Sequence, residues 1–279
     1  AAAALAAHGV APRVDLPGVG RNLQDRYEVG VVNRMSRNWR VLQGARFEVD
    51  DPLWRQWRTG RGMYVSNGAA VGLTRRSAGA KRAPDLFLMA LLARFEGYFP
   101  GYSRQIAEHH DYLTWAVLKA HTLNRTGIVT LKSADPRDPP KIDFNYFDPA
   151  TDPGGEDLAA VVGAVRLART MTRGLKERGC VAAEVLPGPE VESDADLASF
   201  VRDNAWGHHA CGTAAIGPRD AGGVLASDFT VYGVRGLRVV DACVFPRIPG
   251  FFIAGAIYMI GEKAAEAVAR DARGGKAKR

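Results

Sequence analysis

The sequence predicts an α+β protein. Apolar stretches with strand character lie in the first half of the chain, at residues 84–93, 111–121 and 127–134. Apolar residues at helical spacing lie in the second half, at residues 156–175 and 193–205. Strands early, helices late and long connections between them favour segregated β and α regions over an alternating parallel sheet.

Local signals place the individual elements. Residues 1–8 have a helical composition, and Gly9 falls where a helix C-cap is expected. The stretch EVGVVNRMS alternates like a strand. The helix over residues 156–175 begins with acidic residues and has arginine near its end, as the helix dipole favours. Ser193 and Asp196 are spaced like the two members of a capping box at the start of the next helix.

Composition excludes several classes of function. The chain has 279 residues, of which 47% are hydrophobic and 24% charged, which is typical of a folded globular protein. Its net charge of +7 comes from Lys and Arg spread along the chain, without a nucleic-acid-binding module. The longest apolar segment, residues 250–261, is too short to span a membrane.

The cysteines indicate a reducing compartment. Cys180, Cys211 and Cys243 are an odd number and form no CxxC pair. This pattern argues against a disulfide framework and against a structural zinc site. We therefore expect a cytoplasmic protein.

Chemistry concentrates between Trp206 and Lys263. WGHHACGT places His209 just before a Gly-Thr turn that can aim its side chain into a cavity, and imidazole suits proton transfer near neutral pH. LRVVDACVFP predicts a buried strand that ends at Asp241 and the Ala242 amide. The following helix, from about Phe251, presents its positive end to any nearby negative charge.

Each of these signals has a structural alternative. A lone histidine is more often a packed or surface residue than a catalytic one. Asp241 either caps a neighbouring backbone or contacts a ligand, because a buried carboxylate needs partners. A metal site made of His208, His209 and Cys211 is disfavoured, since adjacent residues of an extended segment point to opposite sides.

Taken in order, the motifs resemble the glucose-methanol-choline (GMC) family of flavin oxidoreductases. HxxGT, then GVRGLRVVDACVFP, then MIGEKAAEAV is similar to the C-terminal half of that family. VDLPGVGRNLQDR looks like its LPGVGRNLQDH segment, with Arg26 where histidine is usual. NRTGIVTLKSADPRDPPKIDFNYF resembles another of its stretches, so the likeness covers roughly residues 5–270.

The resemblance implies a fold and a reaction. The fold would be a substrate domain with an antiparallel sheet plus an incomplete FAD-binding α/β domain. The reaction would be oxidation of an alcohol, with hydride passing to N5 of FAD and His209 acting as the base for the hydroxyl proton. A second His or Asn is usual near the start of the last helix, and GFFIA has neither. Either His208 compensates for it, or the substrate is unusual, or the activity is reduced.

The resemblance also implies the cofactor contacts. Asp241 and Ala242 would lie along the phosphate and ribityl chain of FAD. Phe252 and Ile253, at the start of the last helix, would approach the pyrimidine end of the flavin.

The family resemblance suggests a division of the chain. Residues 1–30 would be a remnant of the FAD domain and residues 31–205 mainly the substrate-binding domain. Residues 206–270 would carry the catalytic histidine loop and the C-terminal strand and helix of the FAD domain, and residues 271–279 a basic tail. The family's GxGxxG segment is not in this sequence, so we expect an N-terminal FAD-domain half as a partner, or else a non-catalytic remnant of the same fold.

Overall fold

The computed structural model describes residues 2–81 and 83–274. The helices are α1 (Ala2–Ala7), α2 (Pro52–Trp57), α3 (Tyr102–Glu108), α4 (Glu156–Glu177), α5 (Asp194–Asn204) and α6 (Ala254–Gly274). The strands are β1 (Tyr27–Met35), β2 (Ala69–Arg75), β3 (Leu86–Leu91), β4 (Tyr112–Lys119), β5 (Ile128–Thr130), β6 (Lys141–Asp143) and β7 (Val181–Leu186).

The chain forms two compact units. Unit 1 comprises residues 1–26, 121–154 and 207–279, and unit 2 comprises residues 27–120 and 155–206. Residues 121–154, which lie within the expected substrate-binding region of residues 31–205, belong to unit 1.

Unit 2 is built on a five-stranded antiparallel sheet in the order β2-β3-β4-β1-β7. Two of its three interior strands, β4 and β1, are buried along almost their whole length, which explains the near-continuous apolar sequence of β4. Helix α4 packs on this sheet, and Trp115 Nε1 donates a hydrogen bond of 2.9 Å to Thr172 Oγ1 on that helix.

A buried charge cluster also joins α4 to the sheet. Lys119 Nζ lies 3.0 Å from Asp157 Oδ1 and 3.4 Å from Asp85 Oδ2, and all three side chains are buried. Although burial opposes ionisation, hydrogen bonds from Ser77 and the charge of Lys119 lower the pKa of Asp85. Asp85 therefore stays ionised, and the cluster connects the start of β3 and the end of β4 to the first turn of α4.

Unit 1 has little regular sheet. Strands β5 and β6 form an antiparallel hairpin with Ile128 opposite Asp143. A hydrophobic core joins one face of α6 to the segments that precede it; its buried members include Leu225, Phe229, Val244, Ile253 and Ile260. None of the helices in the described stretches is long and apolar enough to cross a bilayer.

The structure confirms the predicted α+β class and most of the predicted elements. The capping box is present: Ser193 Oγ accepts a hydrogen bond of 3.1 Å from the Asp196 amide, and Asp196 Oδ2 accepts one of 3.2 Å from the Ser193 amide. Of the predicted basic tail, residues 271–274 belong to α6, and residues 275–279 lie outside the described residues.

The predicted buried strand before Asp241 is wrong. Residues 237–240 form only an isolated bridge between Thr230 and Arg238, and Leu237 and Val240 are 48% and 39% exposed. Asp241 is exposed and begins a 3-10 turn over Ala242–Val244. An apolar run becomes a buried strand only where neighbouring strands cover it, and none does so here among the described residues of unit 1.

Candidate functional site

His209 lies in the interior of unit 1, between segments distant in sequence. The residue is 6% exposed, and its backbone amide donates a hydrogen bond of 2.8 Å to Asp25 Oδ1. Its ring packs against Phe252 with the ring centroids 5.9 Å apart. The histidine loop is thus fixed both to the LQDR segment and to the residues just before α6.

Two glycines allow the histidine loop to approach its neighbours. A Cβ at Gly207 would lie 2.5 Å from the Arg26 carbonyl oxygen and 2.6 Å from the Asp25 carboxylate. Gly212 has φ +95°, and a Cβ there would lie 2.3 Å from the Asn22 carbonyl oxygen. Larger residues at either position would displace the loop, so the glycines of WGHHACGT are needed to place His209.

Asp25 organises the centre of the site. Its Oδ1 accepts hydrogen bonds from the amides of Arg26, at 2.7 Å, and His209, at 2.8 Å. Its Oδ2 accepts one of 3.2 Å from the Tyr146 hydroxyl. Burial raises the pKa of Asp25 above its usual value, although these donors and the nearby His209 oppose that shift.

The electrostatic surroundings favour a neutral His209. Burial lowers the pKa of its imidazole, the positive charge of Arg26 lowers it further, and Asp25 partly opposes both. Arg26 is itself fully buried and donates a hydrogen bond from Nη2 to the Pro249 carbonyl. A neutral imidazole at physiological pH has a free nitrogen lone pair and can accept a proton.

His208 is exposed, and its ring centroid lies 4.2 Å from that of His209. The expectation that the two side chains point to opposite sides is therefore wrong, because the chain bends at His208 instead of continuing extended. Cys211 does not join the two histidines in a cluster of possible metal ligands within the described residues.

Asp241 acts as a cap in this structure. Its Oδ1 accepts a hydrogen bond of 2.7 Å from the Cys243 amide, and its backbone is fully extended. Of the two alternatives left open by the sequence, backbone capping is thus present. The exposed side chain of Asp241 and the partly buried Ala242 remain accessible at the surface of unit 1.

The two residues before α6 differ in their surroundings. Phe252 is 47% exposed, whereas Ile253 is 8% exposed and belongs to the hydrophobic core of unit 1. Phe252 therefore offers an accessible ring beside His209, while Ile253 packs in the core.

Sequence reasoning missed Asp25 and Arg26 as parts of the site. Both belong to the LQDR motif, in which Arg26 was noted only as a departure from the usual histidine. The hydrogen bond between Asp25 and His209 joins residues 184 positions apart in the sequence, so no local pattern could reveal it. The available signal was the charged pair Asp25 and Arg26 directly before the strand β1. Charged residues are rarely fully buried unless they have a specific role.

Comparison with known proteins agrees with the resemblance of the sequence motifs to the GMC oxidoreductases. The family model described as GMC oxidoreductase matches residues 124–261. A chloroplastic fatty acid photodecarboxylase from Chlamydomonas reinhardtii is 32% identical over 95% of this chain and 45% of its own length. An oxygen-dependent choline dehydrogenase from Brucella ovis is 31% identical over 95% of this chain and 47% of its own length.

Solved structures show the same fold. A formate oxidase from Aspergillus oryzae superposes with a TM-score of 0.79 at 25% identity, covering 97% of this chain and 50% of that one. Pyridoxine 4-oxidase from Mesorbium loti superposes with a TM-score of 0.70 at 22% identity, covering 95% of this chain and 46% of that one.

These likenesses identify an oxidoreductase fold of mixed helices and antiparallel sheet. The chain belongs to the GMC oxidoreductase family and corresponds to its C-terminal portion. It spans about half the length of the curated relatives it matches.

Proposed function

We propose that this chain forms the catalytic C-terminal part of an FAD-dependent enzyme that oxidises the CH–OH group of a small alcohol, with His209 as the general base. The observation that carries the proposal is a buried imidazole whose pKa is lowered by burial and by Arg26. The reaction removes a hydroxyl proton and a carbon-bound hydride and leaves a carbonyl. FAD, when bound, accepts the hydride.

His209 takes the hydroxyl proton on an imidazole nitrogen. Because Asp25 fixes the backbone of His209 and Phe252 packs on its ring, the base is held in place before the substrate arrives. His208, whose exposed ring lies beside that of His209, would donate a hydrogen bond to the substrate oxygen. Unit 2, with its five-stranded sheet, is the proposed substrate-binding part.

The surface of unit 1 suits FAD at the residues implied by the resemblance. Asp241, the Ala242 backbone and Phe252 are accessible on unit 1, and the first turn of α6 is exposed at Ala254 and Gly255. The first amides of a helix lack intrahelical acceptors and carry partial positive charge, which favours a group that gains negative charge on reduction. The formate oxidase relative is described as carrying FAD.

An N-terminal FAD-binding half is the proposed partner. The chain spans only about half of its relatives, and α6 presents a second, exposed apolar stripe beside its buried face. The exposed stripe contains Ala254, Tyr258, Ala265 and Val268, and Tyr258 is 80% exposed. Small residues at helical spacing allow another element to pack closely, so we assign this stripe to the contact with the proposed N-terminal half.

The three free cysteines support a reducing compartment such as the cytoplasm.

Anaerobic flavin reduction tests the proposal. The chain, joined to its N-terminal half and loaded with FAD, is mixed in the dark with a panel of alcohols, and loss of oxidised-flavin absorbance is followed. We expect at least one alcohol to reduce the flavin and His209→Ala to slow that step about a hundredfold or more. His8→Ala, a histidine of the same unit in another part of the sequence, serves as the control.

Two outcomes would contradict the proposal. If no alcohol reduces the bound flavin, the chain is either a non-catalytic form of the fold or acts on another class of substrate. Adding a fatty acid under illumination distinguishes these two alternatives, because a reaction with the fatty acid would indicate another substrate class. If His209→Ala reduces at the wild-type rate, His209 is not the base.

A further inference from the structure

A polar pocket that does not include His209 lies in unit 1. Its volume is about 350 Å³, and it is lined mainly by polar side chains from three segments of that unit. These are Gln24, His121, Thr122, Arg125, Thr151 and Arg247. The proposed catalytic histidine is not among them.

Two arginines give this pocket its charge. Burial lowers the pKa of Arg125, and the positive charge of Arg247 lowers it further. Within the described part of the chain, neither guanidinium forms an ion pair or a side-chain hydrogen bond. Two like charges that share a cavity without a carboxylate partner repel each other, and an anion between them removes that repulsion.

The buried side-chain amide of Gln24 fixes the backbone next to Arg247. Gln24 Nε2 donates a hydrogen bond of 3.2 Å to the Pro246 carbonyl, and Gln24 Oε1 accepts one of 3.2 Å from the Ile248 amide. These two bonds fix the backbone on both sides of Arg247. Because Gln24 is 1% exposed, they are shielded from water.

Arg125 is held in a comparable way. The side chain of Asn124, which is buried, donates a hydrogen bond of 2.7 Å to the Phe144 carbonyl and accepts one of 3.1 Å from the Thr126 amide. The pocket wall is also tied to Asp25, since Thr122 Oγ1 donates a hydrogen bond of 2.7 Å to the Asp25 carbonyl. The two guanidinium groups thus project from preformed backbone, which lowers the entropy lost when a ligand binds.

We propose that this pocket binds a small anion, through a phosphate or carboxylate group that accepts hydrogen bonds from Arg125 and Arg247. A guanidinium group can donate two parallel hydrogen bonds to two oxygens of either group, and charge-assisted hydrogen bonds are stronger than neutral ones. The same charges disfavour a quaternary ammonium ligand such as choline. This binding site does not depend on the proposed role of His209.

Calorimetric titration of the full chain tests the site, with inorganic phosphate and acetate as separate probes at constant ionic strength in chloride. We expect one of the two anions to bind with a stoichiometry of one, and the stronger probe identifies the group that the pocket prefers. Arg247→Gln and Arg125→Gln should each weaken binding about tenfold or more. Arg235→Gln, an exposed arginine of the same unit, should leave the affinity unchanged.

Thermal unfolding without added anion provides an independent readout. Because either substitution removes the repulsion, each variant should unfold at the same temperature as the wild type or higher. Arg247 is exposed, so Arg247→Gln is expected to fold. If Arg125→Gln fails to fold, Arg247→Gln alone decides the test. The proposal is overturned if neither anion binds, or if Arg247→Gln binds as tightly as Arg235→Gln.

Discussion

At the scale of single residues, the proposed chemistry depends on how the protein surrounds one imidazole, that of His209. His209 is buried beside a fully buried arginine, and both effects favour its neutral form over the charged form. A general base works best when it is unprotonated at the operating pH. Arg26 would thus do more than fill the place of the usual histidine, because its charge helps to keep the base free of a proton.

Removing the charge of Arg26 should raise the pKa of His209. We expect Arg26→Gln to move the imidazole titration to higher pH, since the opposing effect of Asp25 remains. NMR titration of the His209 ring protons in the chain alone measures this shift without cofactor. Arg26→Lys keeps the positive charge and should stay near the wild-type value. A His209 pKa unchanged in Arg26→Gln would show that burial alone sets it.

The same shift has a consequence for stability. The pKa of His209 in the folded chain is below the unfolded value of 6.5, so the unfolded chain binds the proton first as the pH falls. The stability associated with neutral His209 is therefore full above pH 6.5 and is lost as the pH falls through the window below that value.

At the scale of elements, buried charges connect α4 to the sheet of unit 2. Lys119 at the end of β4 pairs with Asp85 and Asp157, and all three are almost inaccessible to water. Isolated buried charges are costly, so each member depends on the others. The arrangement sets where α4 begins relative to the strands.

Replacing the lysine should destabilise this unit strongly. Lys119→Met leaves two buried carboxylates without their cation, and we expect a loss of about 3–5 kcal/mol in the free energy of unfolding. Urea denaturation measures it. Combining Lys119→Met with Asp85→Asn and Asp157→Asn should recover part of the loss.

A surface pair provides the comparison for this test. Arg34, on the neighbouring strand β1, pairs with Asp111 at 3.0 Å, but its side chain is 60% exposed. Arg34→Met should change stability much less, because water screens the pair. Equal effects of Lys119→Met and Arg34→Met would contradict the role of burial.

At the scale of the whole molecule, the sequence predicts elements better than it predicts their partners. The capping box at Ser193 and the strand at residues 111–121 were predictable, because local spacing and apolarity determine them. The segment at residues 237–240 was not, since the same apolar run is a buried strand only when other strands cover it. Half of the candidate site was predictable. The motif WGHHACGT indicates His209, whereas Asp25 and Arg26 become its neighbours only when the chain folds.

The exposed stripe of α6 should mediate assembly with the N-terminal half. A charge in this stripe would be buried at the contact, so we expect Tyr258→Asp to weaken co-purification of the two halves. Glu266→Lys, exposed on the same helix but outside the stripe, serves as the control. Assembly of the Tyr258→Asp variant at the wild-type level would place the contact elsewhere.

The pH dependence of flavin reduction by the preferred alcohol tests the role of His209 most directly. In the assembled enzyme, the rate constant should fall on the acid side with a single pKa below 6.5, because protonated His209 cannot accept the hydroxyl proton. In His209→Gln the rate should be slower and this acid limb absent. An acid limb that persists unchanged in His209→Gln would show that another group is the base.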